Sequence, residues 1–241
     1  MNISELTDVG KVRKNNEDSF ATGTFEGTDT VWAIVCDGMG GALGGETASS
    51  MCVEAVKNFI VSEYTDSMTL NPLKNLLEYS VLSANTAVYN RAAVDSTLSG
   101  MGTTAVVAVI TNERAVIAHV GDSRAYLIHG GAIKAITKDH SLVQHYIDTG
   151  LITPEEAKTH PERHMITRAI GVGKDVITDI DVEQLEQGDI ILICTDGLNG
   201  CVDDSDILKI LTEDNGGAPE LVQAALDAGG NDNVTVVTVR I

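Results

Sequence analysis

Five segments of this chain are apolar or β-branched at almost every position, at residues 31–36, 103–110, 115–120, 190–195 and 234–239, and a shorter one lies at 125–128. Their length and composition mark them as strands. Successive side chains of a strand point to opposite faces, so a run without polar alternation leaves neither face for water. Such strands have to be covered twice, by a second sheet on one side and by helices on the other. Asn-Glu, Gly-Asp-Ser and His-Gly-Gly turns punctuate 103–128, which reads as a three-stranded meander with tight connections and therefore antiparallel pairing.

Two long helices interrupt the strands. Residues 46–64 carry Ala48, Met51, Cys52, Ala55, Val56, Phe59 and Ile60 at three- and four-residue spacing. The second helix has Pro72 early and runs to about Val94, with Leu73, Leu76, Leu77, Val81, Leu82, Ala84 and Val88 as its apolar positions. Shorter helices are expected at 141–148, 154–160, 205–211 and 219–228. Helices and strands do not alternate regularly, which disfavours a parallel doubly wound sheet and favours a mixed α+β sandwich. No repeat, low-complexity stretch or Pro- or Ser-rich linker divides the 241 residues, a length that suits one large domain.

A net charge of −19 argues against binding along nucleic acid or an anionic membrane, since both need clustered Lys and Arg. The longest apolar stretches, about six to eight residues, fall far short of the roughly 20 that span a bilayer. The opening residues have neither a basic segment nor an apolar core of a secretory signal, so the cytoplasm is the default location. Cys36, Cys52, Cys194 and Cys201 form no C-x-x-C pair and are expected to be reduced, mostly buried thiols rather than zinc ligands.

Chemistry enters at the ends of the strands. Asp37 closes 31–36, Asp122 follows 115–120 and Gly121, Asp196 closes 190–195, and Asp232 just precedes 234–239. Residues this far apart in the chain can meet at one edge of a sheet, where their charge would call for hard, oxygen-seeking cations such as Mg²⁺ or Mn²⁺. Singly, each is also readable as an ordinary Asx turn. Gly38, after Asp37, permits close backbone approach, so that a main-chain carbonyl can join the carboxylate as a ligand. Near the N-terminus Arg13, Glu17 and Asp18 lie within six residues. They form either a solvated polar turn or a phosphate-clamping guanidinium beside two carboxylates that contact metal-bound water.

Other phosphate chemistries find no support. Neither Cys36 nor Cys194 is followed by an arginine six positions later, and there is no P-loop. Asp179-Ile-Asp181-Val-Glu183 imitates a phosphoaspartate motif but lacks its Thr and a preceding apolar strand. His160 and His164 flank Pro161 and read as a surface element, and His119, inside an apolar strand, as a satisfied core histidine.

Taken in order, Arg13-x-x-Asn16-Glu17-Asp18, Asp37-Gly38-Met39-Gly40-Gly41, Gly102-Thr103-Thr104, Val120-Gly121-Asp122-Ser123-Arg124, Asp139-His140-Ser141, Thr167-Arg168-Ala169-Ile170-Gly171, Asp196-Gly197 and Gly230-Asn231-Asp232-Asn233 resemble the metal-dependent type 2C protein phosphatases, in their compact bacterial branch. The resemblance covers almost the whole chain. It implies an α+β fold, a four-layer αββα sandwich of two antiparallel sheets, as one catalytic domain over residues 1–241 with a flap at about 141–166. It implies that Asp37 bridges two metals, that Asp196 and Asp232 complete the first, and that the Gly38 carbonyl serves the second. Asp18, with Glu17, would act through metal-bound waters, Asp122 with Asp196 would hold a third metal, and Arg13 would bind phosphate. The implied cofactors are two Mn²⁺ or Mg²⁺ ions plus a third. The implied partners are phosphoserine and phosphothreonine proteins and a cognate Ser/Thr kinase, with a monomer as the default state. Met39 stands where many eukaryotic members have a histidine proposed to protonate the leaving group, and a thioether donates no proton. Rival readings are a phosphatase dedicated to one stress or sigma-factor regulator, a catalytically silent phosphoprotein-binding relative, and a purely structural cation-binding protein.

Overall fold

The doubly apolar runs are strands whose alternate residues serve two different cores. The computed structural model describes residues 1–40, 44–213 and 216–241. One sheet joins β1 (Asn2–Asp8), β11 (Val234–Arg240), β10 (Ile190–Cys194), β7 (Arg124–His129) and β8 (Ala132–Ala135) in that order. The other joins β2 (Asp18–Thr24), β3 (Val31–Met39), β5 (Ala105–Ile110), β6 (Arg114–Val120) and β9 (Asp179–Gln184), and the two-residue β4 (Gly102–Thr103) pairs with the end of β3. All the pairings are antiparallel.

Val31, Ala33 and Val35 of β3 share a buried cluster with Ile191, Ile193, Val237 and Val239 of the opposite sheet. The intervening Trp32, Ile34 and Cys36 pack instead with α1 (Gly44–Glu63) and α2 (Leu70–Val94). On the far side Leu192, Cys194 and Val236 join Ile207 and Leu211 of α6 (Asp204–Thr212) and Leu221 and Val222 of α7 (Ala218–Asp227). The result is the four-layer αββα sandwich. Each fully buried aliphatic side chain in these layers contributes about 1.5–3 kcal/mol.

The expected meander at 103–128 is only half right. β5 and β6 pair within one sheet, but β7 crosses to the other and pairs with β10. The crossing is made at Gly121, whose φ of 105° favours glycine and where an added Cβ would lie 2.5 Å from Thr104 Cγ2. Asp122 thereby stands at the rim between the sheets. The helix expected at 154–160 is Pro154–Ala157 (α4), because the chain then tightens into i→i+3 turns, with Thr159 N–H donating to Glu156 and His160 N–H to Ala157. Asp179–Gln184, dismissed above as a motif, is itself an edge strand.

Residues 141–166 leave the sandwich and return to it. Ser141 bridges Ile166, the Leu142 N–H donates to the Met165 carbonyl at 2.8 Å, and the Thr167 N–H donates to the His140 carbonyl at 2.7 Å. Within the excursion Ser141 caps α3 (Leu142–Asp148), and Thr153 and Glu156 form a capping box on α4.

Candidate metal centre

β2 and β3 are in register with Asp18 opposite Asp37, which sets two carboxylates at the same end of the sandwich. The backbone of Asp37 is already saturated. Its N–H donates to Thr104 Oγ1 at 2.9 Å, and its carbonyl accepts from Thr104 N–H at 2.8 Å and Thr103 Oγ1 at 2.9 Å. Only the side chain is left to act. Asp196 opens the short helix α5 (Asp196–Asn199) directly after β10, and the turn before β11 carries Asp232. Gly197 brings these two together, since a Cβ there would fall 1.9 Å from the Asn233 carbonyl oxygen.

The N-terminal loop is pinned to the same turn. Asn233 Oδ1 accepts from the Glu17 N–H at 2.8 Å, and Asn233 Nδ2 donates to the carbonyls of Val9 and Asn15, each at 2.9 Å. Lys11 N–H donates to the Gly230 carbonyl at 2.7 Å. Arg13 is thus delivered beside Asp232, to which its guanidinium donates at 2.7 Å. Asn233 is a structural residue of the site that the spacing of acidic residues gave no reason to select.

The sequence-selected residues meet here. Burial first, then the charges of Asp18, Asp196, Asp122 and Asp232, hold the Asp37 carboxyl well above the usual carboxylate range. Burial and the charges of Asp196 and Asp139 push Asp122 up to about 7. Asp196 is raised by burial and by Asp232, partly offset by a hydrogen bond with Asp37 and by the nearby His164 and Arg13. Glu17 is raised by burial, with Arg13 opposing. Asp18 is pushed up to about 7 by burial, although its Oδ2 accepts from Thr235 Oγ1 at 2.7 Å and Thr195 Oγ1 at 2.9 Å. Its other oxygen, Oδ1, is buried without any partner.

That orphaned oxygen is the mark of a site built for cations. A buried carboxylate oxygen without a donor is costly, and so are like charges held together away from water. Divalent ions with oxygen ligands satisfy both demands. The fit extends to the Gly38 side of the cleft. A Cβ on Gly45 would lie 2.8 Å from the Gly38 carbonyl oxygen and 2.9 Å from Glu17 Oε2, so the carbonyl and the carboxylate border one small space kept open by glycine. Gly38 itself admits no side chain, because a Cβ would lie 2.2 Å from the Gly45 carbonyl oxygen. Gly41 of this glycine-rich turn lies outside the described residues.

Met39 lies at the end of β3 with its methyl against Gly102. His164, read from the sequence as a surface element, is exposed but close enough to Asp196 to act on its charge. The excursion of residues 141–166 that carries it is placed by tertiary structure, with no local signature. His119 is a core histidine, 1% exposed, but only half satisfied: Nε2 lies 2.9 Å from the Lys138 carbonyl, whereas Nδ1 is buried without a hydrogen-bond partner.

The sequence profile of protein phosphatase 2C matches residues 11–216. The serine/threonine phosphatase Stp of Listeria welshimeri is 37% identical over 244 aligned residues, covering 100% of this chain and 96% of that protein. Among solved structures, serine/threonine phosphatase Stp1 of Staphylococcus aureus superposes with a TM-score of 0.92 at 36% identity, covering 99% of this chain and 94% of that one. The catalytic domain of the serine/threonine protein phosphatase PstP, solved with two manganese ions, superposes with a TM-score of 0.84 at 34% identity over 98% of this chain and 96% of that one. The αββα sandwich, the carboxylates gathered at its rim and these full-length likenesses converge: the chain belongs to the protein phosphatase 2C family, the metal-dependent serine/threonine protein phosphatases.

Proposed function

We propose that the cleft holds two Mn²⁺ or Mg²⁺ ions on Asp37, the Gly38 carbonyl, Asp196 and Asp232, with Asp18 and Glu17 acting through water, and a third ion on Asp122 and Asp196. The observation that carries this reading is the gathering of desolvated carboxylates whose pKa values burial and mutual repulsion drive upward, one of them with an orphaned oxygen. When bound, such cations make hydroxide available near neutral pH and offset phosphoryl charge.

The chain's own groups supply the rest. Arg13, half exposed at the mouth of the cleft, orients a phosphate through the guanidinium N–H groups that Asp232 leaves free. Asp18 is fixed by two threonine hydroxyls on Oδ2, which leaves Oδ1 to accept from a cation-held water. Met39 donates no proton, so the leaving alkoxide takes its proton from water. Among the described residues no Cys or His is placed beside the carboxylates and Arg13 as a nucleophile, and hydrolysis by direct in-line attack fits the cleft. Residues 141–166 act as a flap that shapes the approach of the phosphoprotein. The substrates are cytoplasmic proteins phosphorylated on serine or threonine by a cognate kinase, and the enzyme works as a monomer. Among the described residues no helix is long and apolar enough to cross a membrane.

The test is hydrolysis of a phosphothreonine peptide by protein stripped with EDTA and then given Mn²⁺. Turnover is expected only after Mn²⁺ is restored, and Asp37→Asn is expected to lower kcat/KM by about 10³-fold, equivalent to roughly 4 kcal/mol. Full turnover in EDTA would refute the proposal.

A further inference from the structure

Asp122 sits on the crossing between the sheets, in a turn flanked by two residues held from outside. On one side is Gly121. Its N–H donates to His140 Nδ1 at 3.1 Å, and its carbonyl accepts the His140 N–H at 2.9 Å. On the other side is Arg124, whose Nε and Nη2 donate to the two oxygens of Asp139 at 2.7 and 2.8 Å. Consecutive residues, Asp139 and His140, thus grip the turn on both sides of Asp122. A third tie, Ser123 Oγ to Thr104 Oγ1 at 2.7 Å, joins the turn to the residue that fixes the Asp37 backbone.

The grip has work to oppose. Asp122 is buried at the rim it shares with Asp196 and Asp37, and like charges there favour swinging the turn away from the cleft. Its flanking Gly121 holds a left-handed φ of 105° that no bond of Asp122 itself enforces.

His140 is suited to this task and not to another that its surroundings suggest. His119, His140 and Asp179 offer ligand atoms within 4.8 Å of one another. However, Nδ1 of His140 accepts the Gly121 N–H, and Nε2 is engaged by Arg168 Nη1 at 3.1 Å and lies 3.2 Å from Asp179 Oδ2. Neither ring nitrogen of His140 is thus free to ligate a metal. The positive charge that Asp179 requires is already supplied by Arg168, at 2.7 Å. The cluster therefore fixes the orientation of the His140 ring, which stacks on His119 with centroids 4.6 Å apart.

We infer that Asp139 and His140 are positioning residues for Asp122, holding its turn so that the carboxylate faces Asp37 and Asp196. The inference rests on the reading of Asp122 as a cation ligand given above, and its test separates the two.

Two readouts are needed: Mn²⁺ binding to the full chain followed by the electron paramagnetic resonance of free Mn²⁺, and amide hydrogen exchange at 121–124 in the metal-free protein. Asp122→Asn is expected to remove one class of Mn²⁺ site. His140→Ala and Asp139→Ala are expected to weaken that class alone by roughly 10- to 100-fold and to speed exchange at 121–124. His140→Asn, whose Oδ1 can accept the Gly121 N–H, is expected to restore both. Asp139→Ala carries the test if His140→Ala does not fold. Unchanged exchange at 121–124 overturns the bracket whatever the metal does. Loss of a site in Asp122→Asn but wild-type binding in Asp139→Ala and His140→Ala overturns the positioning role. An Asp122→Asn variant that keeps every site refutes the ligand reading of Asp122, and with it a positioning role toward a cation.

Discussion

Arg13 has two claims on it. Its guanidinium donates to Asp232, a hydrogen bond that together with the carboxylate's charge raises the arginine's pKa further. On the proposed reading, cations on the carboxylates would give Asp232 another partner and leave the guanidinium for phosphate. Arg13→Ala is therefore expected to raise KM by about ten-fold with kcat changed far less, as read from steady-state hydrolysis of a phosphothreonine peptide. Loss of kcat at unchanged KM would place Arg13 in the reacting geometry instead. At this scale the acidic ligand candidates were legible, because an aspartate at the end of a buried strand has few structural reasons to be there. Their supports were not. Asn233 pins the Arg13 loop through three hydrogen bonds to residues more than 200 positions away, and His164 comes close enough to act on the charge of Asp196 from a separate segment of the chain.

Elements were legible in proportion to how fully they are buried. The central strands β3, β5, β6, β10 and β11 announce themselves by apolar residues on both faces, and that alone implied two sheets sandwiched between helices. The strands that went unread, β1, β2, β8 and β9, are the edge strands of the two sheets. An edge strand keeps polar residues to discourage pairing with another chain, and β9, with Asp179, Asp181 and Glu183 facing inward at the rim, is the extreme case. The crossing from β6 to β7 was hidden because a short Gly-Asp-Ser turn serves a hairpin and a change of sheet equally well. Contacts between elements make their own forecast. Gly197 lets α5 close on the turn before β11, so Gly197→Ala is expected to destabilise the fold by about 1–3 kcal/mol, measured as a lower midpoint of urea unfolding. An unchanged midpoint would mean that the turn yields freely.

For the molecule as a whole, the cleft trades stability for function. Asp18 and Asp122 move from an ordinary value of 3.8 to about 7 in the folded, metal-free chain. Between those values the folded state binds more protons than the unfolded state, so stability falls as pH rises through the window and stays lost above it. Metal-free protein is expected to have a lower Tm at pH 8 than at pH 5.5, and Mn²⁺ to raise Tm more at pH 8, because cations compete with protons for the same oxygens. Asp18→Asn should recover on the order of 2 kcal/mol at pH 8 without metal while weakening Mn²⁺ binding. A metal-free Tm that climbs from pH 5.5 to pH 8 would contradict the burial of ionised carboxylates. Cations bound as proposed would invert the local sign of a chain whose net charge is −19 and so let a phosphoprotein approach.

The most direct measurement is an anomalous difference map recorded at the manganese edge from a crystal soaked in Mn²⁺. The account predicts strong peaks lodged among Asp37, the Gly38 carbonyl, Asp196 and Asp232, and their loss in Asp37→Asn. Peaks only elsewhere on this acidic surface, with those carboxylates bare, would contradict it.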